Sequence, residues 1–169
     1  MSNHVIAIGL VAAFSILAHG RSLAQAAPAP QTAQVDASGW TVQCAGNAAP
    51  LDCKASQELR LKSTRQLLVS TVVNIARDTK QPTLLIHLAH GIFLPAGATL
   101  QLGKRQAQRL EIQTCDAGGC YAGLAIPKDM LTALQSEPEM TVGFQDLQKR
   151  PITVQILLAG FGAAFQKIQ

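Results

Sequence analysis

The sequence predicts an all-β domain, mainly antiparallel, built as a β-sandwich or a barrel-like sheet with one or two short helices. Three observations predict it. From about residue 39 onward, apolar residues recur with period two in short runs separated by Gly and Pro. The longest of these runs, residues 66–75 (QLLVSTVVNI), is rich in β-branched side chains that suit a pleated surface. Four cysteines, Cys44, Cys53, Cys115 and Cys120, flank Gly-containing turns in a chain that opens on an export-like segment, and an even count there favours disulfides.

The elements follow in order. Residues 5–18 (VIAIGLVAAFSILA) form a largely apolar run of 14, followed by His19-Gly20-Arg21 and then Ala24-Gln25-Ala26, the small-x-small form read by signal peptidase. Residues 1–26 are therefore expected to be a signal peptide cut after Ala26. The run falls short of the ~20 residues of a spanning helix, so no stable membrane span is expected after cleavage. Residues 27–37, which begin AAPAPQTAQV within 26–35, lack apolar periodicity and are expected as a flexible leader. Residues 38–169 have the size of one domain. Within it, strands are predicted at 39–44, 56–62, 66–75, 83–88, 99–102, 109–115, 121–126, 140–144 and 152–158. One helix is predicted with Pro127 in its first turn, Asp129 near its amino end, Met130, Leu131 and Leu134 as an apolar stripe, and Pro138 ending it. A second, closing helix is predicted at 160–168, where Phe161, Ala164, Phe165 and Ile168 share a face.

Composition narrows the function classes. Of 14 Lys and Arg only Arg21 falls in the predicted signal, against 10 Asp and Glu, which leaves a mildly basic mature chain. The basic residues are scattered, from Arg60, Lys62, Arg65, Arg77 and Lys80 through Lys104, Arg105 and Arg109 to Lys149 and Arg150, and the chain is only 4% aromatic. Nucleic-acid binding wants a basic stripe with interleaved aromatics, and none is present.

Three disulfide pairings are possible. The sequential one, Cys44 with Cys53 and Cys115 with Cys120, is favoured because each couple flanks a turn that brings two strand ends together; each short loop would contribute roughly 2–3 kcal/mol. A redox motif would want two residues between its cysteines rather than four, with a helix following. A zinc site would want closer pairs than the eight-residue gap between Cys44 and Cys53.

The search for catalytic constellations returns little. His87 and His90 are the only histidines beyond the signal; if both lay in one strand a separation of three would send them to opposite faces, so a shared metal site would need the chain to bend between them. His90, before Gly91, is expected to order a turn. There is no Gly-x-Ser-x-Gly elbow and no phosphate loop, since Gly118-Gly119 lies between cysteines where a tight turn accounts for it. No catalytic residue, cofactor or metal ligand is assigned.

Five motifs, taken in order, resemble the invasion-associated locus B family of exported alphaproteobacterial proteins. They are Trp40-Thr41-Val42-Gln43-Cys44, the apolar run 84–88, His90-Gly91-Ile92-Phe93-Leu94-Pro95-Ala96-Gly97, Cys115-Asp116-Ala117-Gly118-Gly119-Cys120, and residues 152–161 (ITVQILLAGF). The family pattern has proline before His-Gly, where this chain has Ala89. The resemblance implies a β-rich domain exported to the periplasm, the outer membrane or the medium, and in some pathogens a part in host-cell entry. It supplies no catalytic residues.

The motif His90, Gly91, Ile92, Phe93, Leu94, Pro95 and Gly97 is the candidate interaction or structural element. Leu94-Pro95 should end a ladder or sit at an edge. Three consecutive apolar residues, 92–94, either present one side chain outward as a partner surface or form a segment buried on both sides or bridging two sheets, and the covered arrangement is the expected one. Three functional readings follow. The first is a non-enzymatic envelope or secreted protein contacting an envelope or host-surface protein. The second is a periplasmic thiol-redox factor or other enzyme, and the third a small-ligand carrier with a pocket between its sheets. The sequence leaves the oligomeric state open.

Overall fold

Period-two patterning becomes a sandwich of two sheets. The structure is a computed structural model; residues 31–32, 35–46 and 52–169 are described. The predicted signal peptide, its cleavage point and the beginning of the leader lie outside the described residues. In chain order the strands are β1 (Gln31–Thr32), β2 (Val35–Ala37), β3 (Thr41–Ala45), β4 (Asp52–Leu61), β5 (Leu67–Ile75), β6 (Pro82–Leu88), β7 (Ala98–Leu102), β8 (Gln108–Leu110), β9 (Thr114–Asp116), β10 (Gly119–Ala125), β11 (Glu139–Gln145) and β12 (Pro151–Leu157). Helix α1 spans Lys128–Ser136 and α2 spans Phe161–Gln166.

The smaller sheet has the order β1-β12-β11-β7-β8; the larger has β2-β4-β5-β6-β10-β9, with β3 also beside β4. Every pairing is antiparallel except the two-residue contact of β1 with β12. Neither sheet closes on itself, which decides between the sandwich and the barrel.

Register stacks the inward side chains in rows. In the larger sheet Leu59, Val69, Leu88 and Cys120 form one row, and Gln57, Thr71, Ile86 and Ala122 the next. All eight are buried, while their neighbours along each strand are largely less so. Leu100, Leu102, Met140, Val142, Val154 and Ile156 supply the facing layer from the smaller sheet, and all belong to the same core. Trp40 fastens the layers near the chain's two ends: its indole N–H donates to the Leu157 carbonyl at 2.9 Å, and its ring meets the edge of Phe161 at 4.9 Å.

Three local expectations need correction. Residues 27–37 were expected as a flexible leader, yet β1 and β2 lie within them and pair with β12 and β4. The single strand predicted at 109–115 is two. Residues 108–110 pair with β7 in one sheet and 114–116 with β10 in the other, and the intervening residues carry the chain across. Alternation alone cannot show such a crossover, because both halves keep the same period. Pro127 is the N-cap of α1 rather than part of its first turn, held extended at φ −70° and ψ 164°.

Residues 89–97 also cross between layers, from the end of β6 to the start of β7. The crossing sets one end of the sandwich, where the β4–β5 turn, the turn closed by Cys115 and Cys120, and the β11–β12 hairpin gather. The helices lie at the other end: the Ile126 N–H, just before α1, donates to the Pro82 carbonyl at 2.8 Å, where β6 begins.

Candidate functional site

The motif end is built from two adjacent pieces. The first surrounds the turn between β9 and β10. Cys115 and Cys120 face each other across this hairpin and are joined, with S–S 2.13 Å; Cys44 and Cys53 are joined across β3 and β4 at 2.09 Å. No cysteine is free.

Asp116 organises the turn. Its Oδ1 accepts the Gly118 N–H at 2.8 Å, the Gly119 N–H at 3.3 Å and the Tyr121 hydroxyl at 3.1 Å. The Gly118 amide is the main reason its carboxyl lies below the ordinary carboxylate range; partial desolvation opposes this, and Tyr121, Gly119 and the charge of His87 add to it. Desolvation pushes the Tyr121 phenol upward, and its bond to Asp116 reinforces the shift. A side chain on Gly119 would collide with the Leu88 carbonyl and the His87 ring, so the close approach of β10 to β6 requires glycine.

Both histidines converge on this turn, because they do not share one strand and the chain bends between them. β6 ends at Leu88, and the chain bends through Ala89-His90-Gly91, with Gly91 at φ +92°. His87, opposite Tyr121 in the β6–β10 ladder, has its Nε2 3.0 Å from the Gly118 carbonyl, and the bend brings His90 Nε2 to 3.3 Å from the Ala117 carbonyl. A carbonyl can only accept, so each Nε2 carries the hydrogen. The His87 ring also stacks on Tyr121, centroids 4.5 Å apart. His90 thus orders a turn, though it is the Cys115–Cys120 turn rather than its own.

The second piece is the motif loop laid against the β11–β12 hairpin. Ile92 is buried and bridges to Asp146, and the Phe93 N–H donates to the Gln145 carbonyl at 2.8 Å. Leu94, Pro95 and Ala96 form one 3-10 turn, closed by the Gly97 N–H on the Leu94 carbonyl at 2.9 Å. Pro95, with no amide to donate, fits the start of that turn. Arg109 clamps it from β8: Nη2 donates to the Pro95 carbonyl at 2.9 Å and Nε to that of Ala96 at 3.2 Å.

The hairpin is braced in the same manner. Asp146 Oδ1 accepts the Gln148 and Arg150 N–H groups, each at 2.9 Å, and Oδ2 accepts Arg150 Nε at 2.6 Å. Burial works against ionisation of Asp146, but the amide and guanidinium of Arg150, helped by the Gln148 amide, outweigh it and hold the carboxyl below its usual range. Lys149 has φ +61°, and its ammonium lies over the Phe93 ring, 5.0 Å from the centroid.

These braces leave Leu94 49% exposed and Leu147 65% exposed. Phe93, half-buried beneath Lys149, is not the presented residue. Leu147, Lys149 and Arg109 were not singled out from sequence. The available signal for Leu147 was a leucine set among Asp, Gln, Lys and Arg in a turn between two alternating strands.

Chemically, the first piece spends its polar groups on itself. Its carboxylate, phenol and imidazoles bond to one another or to turn amides and carbonyls, and among the described residues no three His, Cys, Asp or Glu side chains gather as a metal site. Two surface clefts among the described residues measure about 430 and 440 Å³. One lies on the outer face of the larger sheet over Val72 and Leu85, the other beside Ile126 and Phe165 at the helical end. Among the described residues no helix is long and apolar enough to cross a membrane.

Comparison with known proteins adds a lineage. The family described as Invasion associated locus B (IalB) protein matches residues 40–169. Invasion protein B homologs from Brucella abortus strain 2308 and from biovar 1 strain 9-941 are each 30% identical over 166 residues, covering 96% of this chain and 95% of theirs. The crystal structure of invasion associated protein b from Bartonella henselae superposes with a TM-score of 0.67 at 17% identity, over 76% of this chain and 89% of that one. The shared fold, the motif order and the near-complete coverage place this chain in the invasion associated locus B family.

Proposed function

We propose that this protein is an exported, non-enzymatic contact protein that engages an envelope or host-cell surface through the tip formed by residues 92–97 and the β11–β12 hairpin. The observation that carries the reading is the placement of exposed apolar groups. Among the described residues three large hydrophobic side chains are exposed, and two of them, Leu94 and Leu147, belong to this tip. Leaving these leucines about half exposed on backbone this firmly held forgoes roughly 1 kcal/mol or more of burial per side chain, which a bound surface can return.

The relatives from Brucella and Bartonella are named as invasion proteins, which accords with a role outside the cytoplasm. Two disulfides suit an oxidising compartment, whether periplasm, outer membrane or medium. A thiol-redox role fares worse, because Cys115 and Cys120 have four residues between them in a β-hairpin, with no helix N-terminus beside them among the described residues to stabilise a thiolate. A carrier with a pocket between the sheets fares worse because the inward rows form one packed core.

The test is binding of labelled mature protein to isolated envelopes and to host cells, wild type against the double variant Leu94→Asp/Leu147→Asp. Near-ultraviolet circular dichroism checks that the variant keeps its fold. A loss of roughly tenfold or more in affinity is expected; equal binding by the two proteins would remove the tip from the account.

A further inference from the structure

We infer that the surface this tip engages is an anionic lipid bilayer, with Leu94 and Leu147 entering the headgroup boundary and Lys149 among the lipid phosphates. The inference rests on the contact reading above and names its partner. Size is the first argument. A stable protein interface takes about 800 Å² from each partner and is anchored by buried aromatic or arginine side chains. This tip offers two exposed leucines and a half-buried Phe93, already covered by Lys149. A bilayer requires no matching area, since acyl chains flow around whatever protrudes, and a few apolar side chains beside cations suffice for interfacial binding.

Rigidity is the second argument. Leu94 stands on a 3-10 turn clamped by Arg109, and Leu147 on a hairpin whose Asp146 takes two backbone amides. Neither leucine needs its backbone ordered on binding, so the modest apolar area is not offset by that entropy. The Ile92–Asp146 bridge and the Phe93–Gln145 hydrogen bond join the segment carrying Leu94 to the hairpin carrying Leu147, so the two move as one unit at this end of the sandwich.

Charge is the third. The tip carries Arg109, Lys149 and Arg150 against Asp146 and Glu111. Both carboxylates already face a guanidinium: Arg150 lies 2.6 Å from Asp146, and Arg109 lies 3.8 Å from Glu111. Among the described residues Lys149 makes no ion pair, and its exposed ammonium rests only on the Phe93 ring. One uncompensated cation beside two apolar protrusions is complementary to a phosphate-rich interface, where each Lys adds about 1 kcal/mol of attraction.

The experiment is cosedimentation of the folded mature protein with phosphatidylcholine vesicles, with and without phosphatidylglycerol, across a salt series. Wild type should bind the phosphatidylglycerol vesicles, weaken as salt rises, and ignore pure phosphatidylcholine. Leu94→Asp/Leu147→Asp should bind roughly tenfold less tightly or worse, and Lys149→Glu several-fold less tightly. If neither vesicle binds while leucine-dependent binding to whole envelopes persists, the lipid assignment is overturned and a protein receptor stands in its place. If envelope binding ignores the leucines, the contact reading itself falls. Phosphatidylglycerol binding that both variants retain would also overturn the assignment, since it would then reside elsewhere on the molecule.

Discussion

The turn closed by Cys115 and Cys120 and the hairpin at residues 146–150 occupy the same end of the sandwich. Each is organised by an aspartate whose Oδ1 accepts at least two backbone amides, Asp116 in one and Asp146 in the other. From that shared device they diverge. The disulfide turn draws in two histidines, a tyrosine and a bond to a buried cysteine, so the residue types normally associated with chemistry are all consumed in holding β6, β9 and β10 together. The hairpin holds no such groups and leaves a leucine exposed beside the motif loop. The polar cluster is spent on holding strands together, whereas the tip keeps two leucines exposed, the feature on which the proposed contact role rests.

The strongest attempt to break that contrast removes the staple. Cys115→Ala/Cys120→Ala should cost about 2–4 kcal/mol by chemical denaturation, because the loop loses its covalent closure and Cys120 lies in the core row with Leu59, Val69 and Leu88. Gly119→Ala comes next. The new methyl group meets the Leu88 carbonyl, a backbone atom that cannot swing aside, so a loss of roughly 1–3 kcal/mol is expected in the same measurement.

Asp116→Asn tests the amide network through pH. The native carboxyl titrates below the ordinary carboxylate range, so its contribution is complete above about pH 4 and disappears as pH falls through the lower, folded-state value. Wild type should therefore melt higher than the variant near neutrality, and the two melting curves should draw together in acid. A gap unchanged at low pH would mean that the charge of Asp116 is irrelevant to the turn.

Changes at the tip should have the smallest effect on stability. Leu94→Asp and Leu147→Asp are expected within about 0.5 kcal/mol of wild type. Lys149→Gly relieves a left-handed conformation, worth about 1 kcal/mol, while forfeiting a cation–π contact worth about 0.5–1 kcal/mol; the net should be close to zero. If these variants unfold the protein, the tip is scaffold too.

Much of the fold was legible because its cause is local. Alternation over 66–75 and 83–88, the helix between prolines 127 and 138, and cysteines set on either side of a glycine turn all report short-range physics. What was not legible depends on which sheet a strand joins. The split of 109–115 between layers, and the pairing of 31–32 and 35–37, are decided by partners far away in sequence. The candidate site divides along the same line. Three consecutive apolar residues before a proline point to covered side chains at 92–94, yet Leu94 is 49% exposed, and the approach of His87 and His90 to one turn depends on a bend at 89–91 that strand periodicity does not supply. The exposure of Leu94 depends on the 146–150 hairpin, some fifty residues away.

The most direct measurement is amide hydrogen exchange on the protein alone and bound to isolated envelopes. Protection gained on binding should fall on residues 92–97 and 146–150 and leave 115–121 unchanged. Protection concentrated at 115–121, with the tip unaffected, would contradict the assignment of contact to the apolar tip and return the polar cluster to the centre of function.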